Sequence, residues 1–169
     1  MSQTNRHHWA NFNHNTIKAA HPSKYLKEKP MIYAMLTMVL LTFAVAVYLF
    51  LVRVNAVKKG EVKISYFRLN NGKDVPDKLL QAARNYSNLF EVPTLFYVGC
   101  ALTLALHLES AATLVLSWVF VGSRIVHSWI HLSYNNVLHR MKAFMLGNIC
   151  VLLIWIMLVL QYAANQQPL

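Results

Sequence analysis

Acidic residues are scarce in this chain: six Asp and Glu stand against 16 Lys and Arg, leaving a formal charge of +10 on 169 residues. Cysteine is scarcer still, and the two present cannot build a disulfide framework or a zinc staple. Five glycines and five prolines exclude collagen-like repeats and a low-complexity disordered chain. No internal repeat breaks the sequence into units. What is abundant is apolar: 56% of residues are hydrophobic and only 13% charged. A basic chain that binds nucleic acid is usually polar along its whole length. Here the mean hydropathy is +0.36, so the positive charge must sit between apolar blocks, which is the pattern of a membrane protein and excludes nucleic acid as a partner. Cys100 and Cys150 both fall inside apolar runs and read as small buried hydrophobes.

Met31 to Val52 is an uncharged run of 22 residues closed by Arg53, long enough to cross a bilayer core at the α-helical rise. A polar segment of 30 residues precedes it, which argues against a cleavable signal peptide. Ala143 to Ala164 is a second uncharged run of 22. Between them, Leu79–His107 and Ser110–Tyr134 are long enough to span but carry Arg84, Glu91 and Arg124. Intramembrane charges cost a few kcal/mol each (roughly, on insertion scales) and face protein or a water-filled cavity. The expectation is an all-α integral membrane four-helix bundle, with helices over about 31–53, 78–107, 110–137 and 142–164. It is flanked by a polar tail over 1–30 and a short tail over 165–169. The Leu108–Ser110 connection is short enough to require a tight antiparallel turn, and Asn70-Asn71-Gly72 with Pro76-Asp77 reads as a loop ending at a helix cap.

Four spans put both termini on one side. The first loop with its flank holds seven Lys and Arg, and the third connection adds Arg140 and Lys142, against five in the N-terminal tail. The positive-inside rule then predicts cytoplasmic loops one and three, which in a bacterium means the inner (plasma) membrane.

In the second helix Arg84, Asn88 and Glu91 are spaced i, i+4, i+7 and share a face. In the third, Arg124, His127, His131 and Tyr134 are spaced i, i+3, i+7, i+10 and share another. Both faces lie toward the same membrane side, which predicts a single polar cavity there. Pro93 lacks the amide that would bond to the Leu89 carbonyl and is expected to kink the helix beside Glu91. Two arginines against one carboxylate leave surplus positive charge that asks for an anionic ligand. The bland alternative is an ion-pair cluster that only ties helices together. His127 and His131, at i, i+4, have a spacing that can chelate a metal, but nothing in sequence completes a four-ligand shell, so hydrogen bonding into the cavity is the preferred reading and no metal is expected. The tail histidines His7, His8, His14 and His21 read as part of a solvated or partner-docked segment. Asn85-Tyr86-Ser87 is a glycosylation triplet placed inside a span, where it reads as chance.

The segment from Arg84 through Asn88 and Glu91 to Pro93 resembles the second-helix signature of the membrane-associated proteins in eicosanoid and glutathione metabolism, the MAPEG family, in a bacterial-type member. Arg124, His127, a polar residue at 131 and Arg140 follow the spacing of that family's prostaglandin E synthase branch. The resemblance covers roughly residues 31–164. It implies a homotrimer with glutathione held between subunits near the cytoplasmic side. Arg84, Asn88 and Glu91 would then grip the tripeptide's charged ends, with Arg124 and His127 lining the site and Arg53 reaching in from the adjacent subunit. Arg140 resembles the arginine that stabilises the glutathione thiolate. The residue types agree, since a site rich in arginine suits an anion and nearby positive charge lowers a thiol pKa. One departure is His131 where close relatives carry a tyrosine, with Tyr134 about one turn on.

Two functions follow as expectations. One is a glutathione-dependent transferase or peroxidase, with Arg140, His131 and Tyr134 as catalytic residues and a hydrophobic electrophile or lipid hydroperoxide as substrate. The other is a non-catalytic lipid- or quinone-binding scaffold, or an accessory subunit of a larger membrane complex docked through the N-terminal tail, whose Trp9 and Phe12 suit an interface.

Overall fold

The structure, a computed structural model, describes residues 30–68 and 75–166. The tail histidines, Trp9, Phe12 and the Asn70–Gly72 loop lie outside the described residues. Among those described are five α-helices and no strand: α1 (Pro30–Lys58), α2 (Asp77–Asn88), α3 (Val92–Ala105), α4 (Ala111–Leu132) and α5 (Val137–Asn165), with a 3-10 turn at Ile64–Arg68 between α1 and α2. They make four segments long and apolar enough to cross a membrane, α2 and α3 together forming the second. In hydrocarbon every backbone amide and carbonyl must find an internal partner, so an apolar chain of this kind can span only as helix.

Burial follows helical spacing. On α1 the buried positions are Met31, Ala34, Met38, Val45, Leu49 and Ala56, a stripe of threes, fours and sevens, while Leu40, Phe43 and Phe50 point outward. The stripe packs on a core that includes Phe96, Cys100, Phe120, Cys150 and Ile154. Phe96 of α3 stacks on Phe120 of α4 at 4.3 Å between centroids. Lipid tails are as apolar as leucine, so close packing and interhelical hydrogen bonds hold such a bundle together rather than the hydrophobic effect. Two glycines show where packing is closest. A Cβ on Gly147 would stand 2.8 Å from Ser123 Oγ, and one on Gly99 3.2 Å from Trp155 Nε1. The Trp155 indole N–H in turn donates to the Leu95 carbonyl at 3.1 Å, tying α5 to α3.

The helix ends differ from the sequence expectation at three places. α1 runs five residues beyond Arg53 and stops where Gly60, at φ 71°, lets the Gly60 and Glu61 amides bond back to the Val57 and Ala56 carbonyls. α4 stops at Leu132, because Asn135 takes φ 48° and its amide returns to the Ile130 carbonyl. α5 already begins at Val137, capped by the Asn136 side chain, which accepts from the His139 amide. Arg140 therefore sits in the first turn of a helix and not in a connection. The other tight turn, Leu106–Ser110, ends α3 with His107 at φ 55° and starts α4 with a reciprocal capping box between Ser110 and Thr113.

The second span is broken outright, where the sequence predicted a kink. At the end of α2 the Leu89 and Phe90 amides bond three residues back, to Tyr86 and Ser87, and Glu91 turns the chain (φ −86°, ψ −94°) before α3 starts. Pro93 then lies in the first turn of α3, where a missing amide costs nothing.

Candidate functional site

A break inside a membrane exposes carbonyls that a continuous helix would satisfy. The Asn88 carbonyl, which would have bonded to the Val92 amide, instead accepts from Arg124 Nη2 of α4 at 3.0 Å. The Phe90 carbonyl accepts from Thr94 Oγ1. Arg124 is fully buried, with the Phe144 ring 5.5 Å from its guanidinium carbon and Glu91 near enough to act on its charge. A guanidinium in a bilayer interior is tolerated only with such company.

One turn and two turns further along α4, His127 and His131 are buried as well. His127 Nδ1 meets the Arg140 carbonyl at 3.1 Å. That oxygen can only accept, so Nδ1 carries the proton and Nε2 is the free lone pair. His131 is the reverse: its Nε2 lies 3.3 Å from Arg140 Nη1, which can only donate, so a neutral His131 carries its proton on Nδ1. The same Nη1 donates to Asn135 Oδ1 at 2.7 Å. Arg140 is thus clamped between the turn before α5 and the face of α4. The two imidazoles stand edge to face, 5.8 Å between centroids, each with one nitrogen engaged by Arg140. Among the described residues no group of three His, Cys, Asp or Glu converges as a metal site.

Of the sequence-predicted residues, Arg124, His127, His131 and Arg140 come together at the end of the bundle that carries loop one and the α4–α5 turn. Arg84 joins them electrostatically, since it and Arg140 both lie within range of His131. Its side chain and that of Glu91 nevertheless face outward, and Asn88 is half-buried. Tyr134 does not share the His131 face. It lies beyond the end of α4, is 53% exposed, and its hydroxyl meets His139 Nδ1 at 3.1 Å. The i+10 spacing failed because the helix that would carry it stops two residues earlier. Arg53 is set apart on α1, five residues before its end, with its guanidinium carbon 5.4 Å from the Phe67 ring centroid.

The sequence expects the two polar faces to meet in a single polar cavity. The grooves beside Gly122, Asn55, Phe43 and Trp155 are not lined by Arg84, Arg124 or Arg140. The polar atoms are packed inside instead, and several have no partner: Arg124 Nε and Nη1, His127 Nε2, His131 Nδ1, Ser128 Oγ, both amide atoms of Asn85, and Arg53 Nε.

Asn85 and Ser128 were not expected from the sequence to join the site. The signal for Asn85 was present, because Ala82 and Leu89 lie on its face at spacings of three and four and both are buried with it. An asparagine on the apolar stripe of an amphipathic helix points into the core. Its burial also closes the glycosylation triplet. Asn135, which clamps Arg140, was missed for a different reason: its role depends on a left-handed backbone that periodicity does not report.

These features define a multi-pass, all-helical membrane protein with an arginine- and histidine-rich cluster inside one end of its bundle. The sequence profile of the MAPEG family matches residues 31–160, about three-quarters of the chain, and the chain belongs to that family. No individual curated protein and no solved structure gives a significant match.

Proposed function

We propose that the protein is a membrane-embedded, glutathione-dependent transferase or peroxidase that works as a homotrimer on a hydrophobic electrophile or lipid hydroperoxide. The observation that carries this reading is the pair of buried histidines with three arginines in range, Arg84 and Arg140 of His131 and Arg124 and Arg140 of His127, and Glu91 in range of Arg124. Buried N–H groups on Arg124, Asn85 and His131 lack acceptors, so the donor set fits an anion with more than one carboxylate. Glutathione, bound there, supplies a thiol whose ionised form is the nucleophile.

Arg140 is the residue best placed to hold that thiolate. With Nη1 anchored on Asn135 and His131, its Nη2 and Nε are left to face a sulfur, and a fixed positive charge favours the deprotonated thiol. His131, its Nε2 occupied by Arg140, serves as an orienting partner of the guanidinium. Tyr134, outside the cluster, has no catalytic part in this arrangement. Arg84, Asn88 and Glu91 would hold the ligand's charged ends from α2, and Arg124 and His127 would line the site from α4. Arg84 and Glu91 stand about 10 Å and about 20 Å into the span from Asp77 with their side chains outward, a position costly against lipid. A neighbouring subunit covering that face, with its own Arg53 reaching in, removes the cost. Cytoplasmic loops one and three would open the site to the cell's thiol pool.

The test mixes purified protein with glutathione and follows thiolate absorbance in the ultraviolet. A thiolate band that falls at least tenfold in Arg140→Ala, with glutathione affinity about tenfold weaker in Arg84→Ala, is expected. No band, or one unchanged in Arg140→Ala, overturns the mechanism.

A second reading, a lipid- or quinone-binding scaffold or accessory subunit of a larger complex, rests on a separate groove of about 320 Å³ beside the helix break. It is walled by Phe43, Tyr86, Phe90 and Tyr97 with Thr42 and Thr94 as its polar points, a composition suited to an apolar ligand with one polar group. Deleting residues 1–28 separates the two readings. Loss of membrane partners with thiolate formation intact favours an accessory role added to the enzyme, and loss of neither removes the docking role.

A further inference from the structure

α4 and α5 form the most extensive helix pair of the bundle, and two contacts set their levels. His127 meets the Arg140 carbonyl, and Gly147 lies against Ser123 and Phe120. In an antiparallel pair this puts Val126 level with Lys142, and Gly122 level with Leu146. On the outer side of the pair is a groove of about 510 Å³ whose walls include Val119, Gly122, Val126 and Leu146 and whose one end holds His139 and Lys142. A Cβ on Gly122 would meet nothing within 4 Å. The glycine therefore leaves a cleft open on the surface rather than permitting a close helix approach.

The depth of the groove can be read from its neighbours. Trp129 is 64% exposed and its ring lies 5.9 Å from that of Tyr134, whose hydroxyl holds His139. Exposed Trp and Tyr mark the headgroup level of a bilayer. Ala111, where α4 begins, is about 27 Å from Trp129 along the helix, close to the thickness of a hydrocarbon core. His139 and Lys142 therefore stand at headgroup depth. Gly122, seven residues before Trp129, lies about 10 Å deeper, among acyl chains. His139 and Lys142 are three residues apart on α5 and neighbours on its surface.

We infer that this groove is a binding site for an anionic phospholipid, with one acyl chain lying over Gly122 and the phosphate between Lys142 and His139. The occupant is set by both ends. The cleft is apolar and opens to the bilayer, so a chain must fill it, and its rim carries two basic side chains and no acid, which favours an anionic headgroup over a zwitterionic one. Tyr134 positions the His139 ring through Nδ1, leaving Nε2 for the phosphate. The site lies on the lipid side of the α4–α5 pair, and the glutathione reading does not enter into it.

Native mass spectrometry of the full chain released from neutral detergent, titrated with phosphatidylglycerol or phosphatidylcholine of identical acyl chains, tests this. Wild type is expected to retain phosphatidylglycerol at least fivefold better. Lys142→Gln with His139→Gln should bring the two lipids to parity. Gly122→Leu, whose Cβ would meet nothing within 4 Å and whose side chain would project into the cleft, should remove most of the retained phosphatidylglycerol. Equal retention of the two lipids by wild type overturns the site, as does a preference that survives the double substitution or adducts unchanged in Gly122→Leu. Glycerol phosphate competing as well as the intact lipid would show a headgroup-only contact and would also overturn it.

Discussion

The two tight turns of the bundle meet the same geometric demand with different chemistry. Each ends a helix on a non-glycine residue in the left-handed region, His107 at φ 55° and Asn135 at φ 48°, and each starts the next helix with a side-chain cap, Ser110 or Asn136. At the Leu106–Ser110 turn the left-handed side chain is exposed, and backbone bonds close the turn while Ser110 and Thr113 cap α4. At the other turn Asn135 reaches out of the turn and holds Arg140. Both turns are closed by local bonds, and the one beside the polar cluster also aims a guanidinium. The same division runs through the helices. α1 offers the bundle a stripe of Met, Ala, Val and Leu, and α4 offers Ser123, Arg124, His127, Ser128 and His131.

The largest effect is expected at Arg124, where the polar end is most interdependent. Arg124→Ala removes the partner of the Asn88 carbonyl, takes a cation away from Glu91 and opens a cavity beside Phe144. An unsatisfied buried carbonyl costs about 1–3 kcal/mol, and truncating a large buried side chain adds to it, so a loss of about 2–4 kcal/mol is expected in unfolding from detergent micelles. Amide exchange should rise first at residues 89–94. Wild-type stability in this variant would show that the break is held by packing alone, and the contrast between the two ends would lose its physical basis.

Most of the fold was legible in the sequence because the dominant signal is simple. Uncharged runs of bilayer length specify spans, and the polar spacing on the second and third spans put Arg84, Arg124, His127 and His131 at one end, to which the family resemblance added Arg140. What was not legible depended on backbone events that periodicity does not encode. The break at Leu89–Glu91 looked like a proline kink, yet the proline belongs to the helix that follows. Tyr134 was assigned to a helical face that ends at Leu132. Nor did periodicity show that Arg124, His127 and His131 pack into the subunit while Arg84 and Glu91 face away from it.

A smaller and more selective effect is expected at Asn135. Asn135→Gly takes φ 48° without strain, so the turn should survive with a stability change within about 1 kcal/mol, the lost hydrogen bond offsetting the relief at the backbone. Arg140 is then released from one of its two anchors. Under the glutathione reading the thiolate band should weaken by about threefold to tenfold, and Asn135→Asp, which keeps an acceptor in place, should restore most of it. A parallel loss of stability and thiolate in both variants would mean that Asn135 only shapes the turn, which would erase the difference between the two connections.

The smallest effect is expected at His107, and it runs the other way. An L-residue in the left-handed region costs roughly 1–2 kcal/mol relative to its preferred conformations, and the bonds that close this turn run through the backbone: the His107 amide to the Leu104 carbonyl and the Leu108 amide to the Thr103 carbonyl. His107→Gly keeps both and removes the steric cost, while glycine's greater freedom in the unfolded chain takes back part of the gain. A net stabilisation of about 0.5–1 kcal/mol follows, with the thiolate band unchanged. The same substitution thus strengthens one turn and leaves the other no better off, because only Asn135 trades a bond to a neighbouring helix for its relief. If His107→Gly destabilised the protein instead, the exposed imidazole would have to hold a contact at the far end comparable to the one Asn135 makes with Arg140.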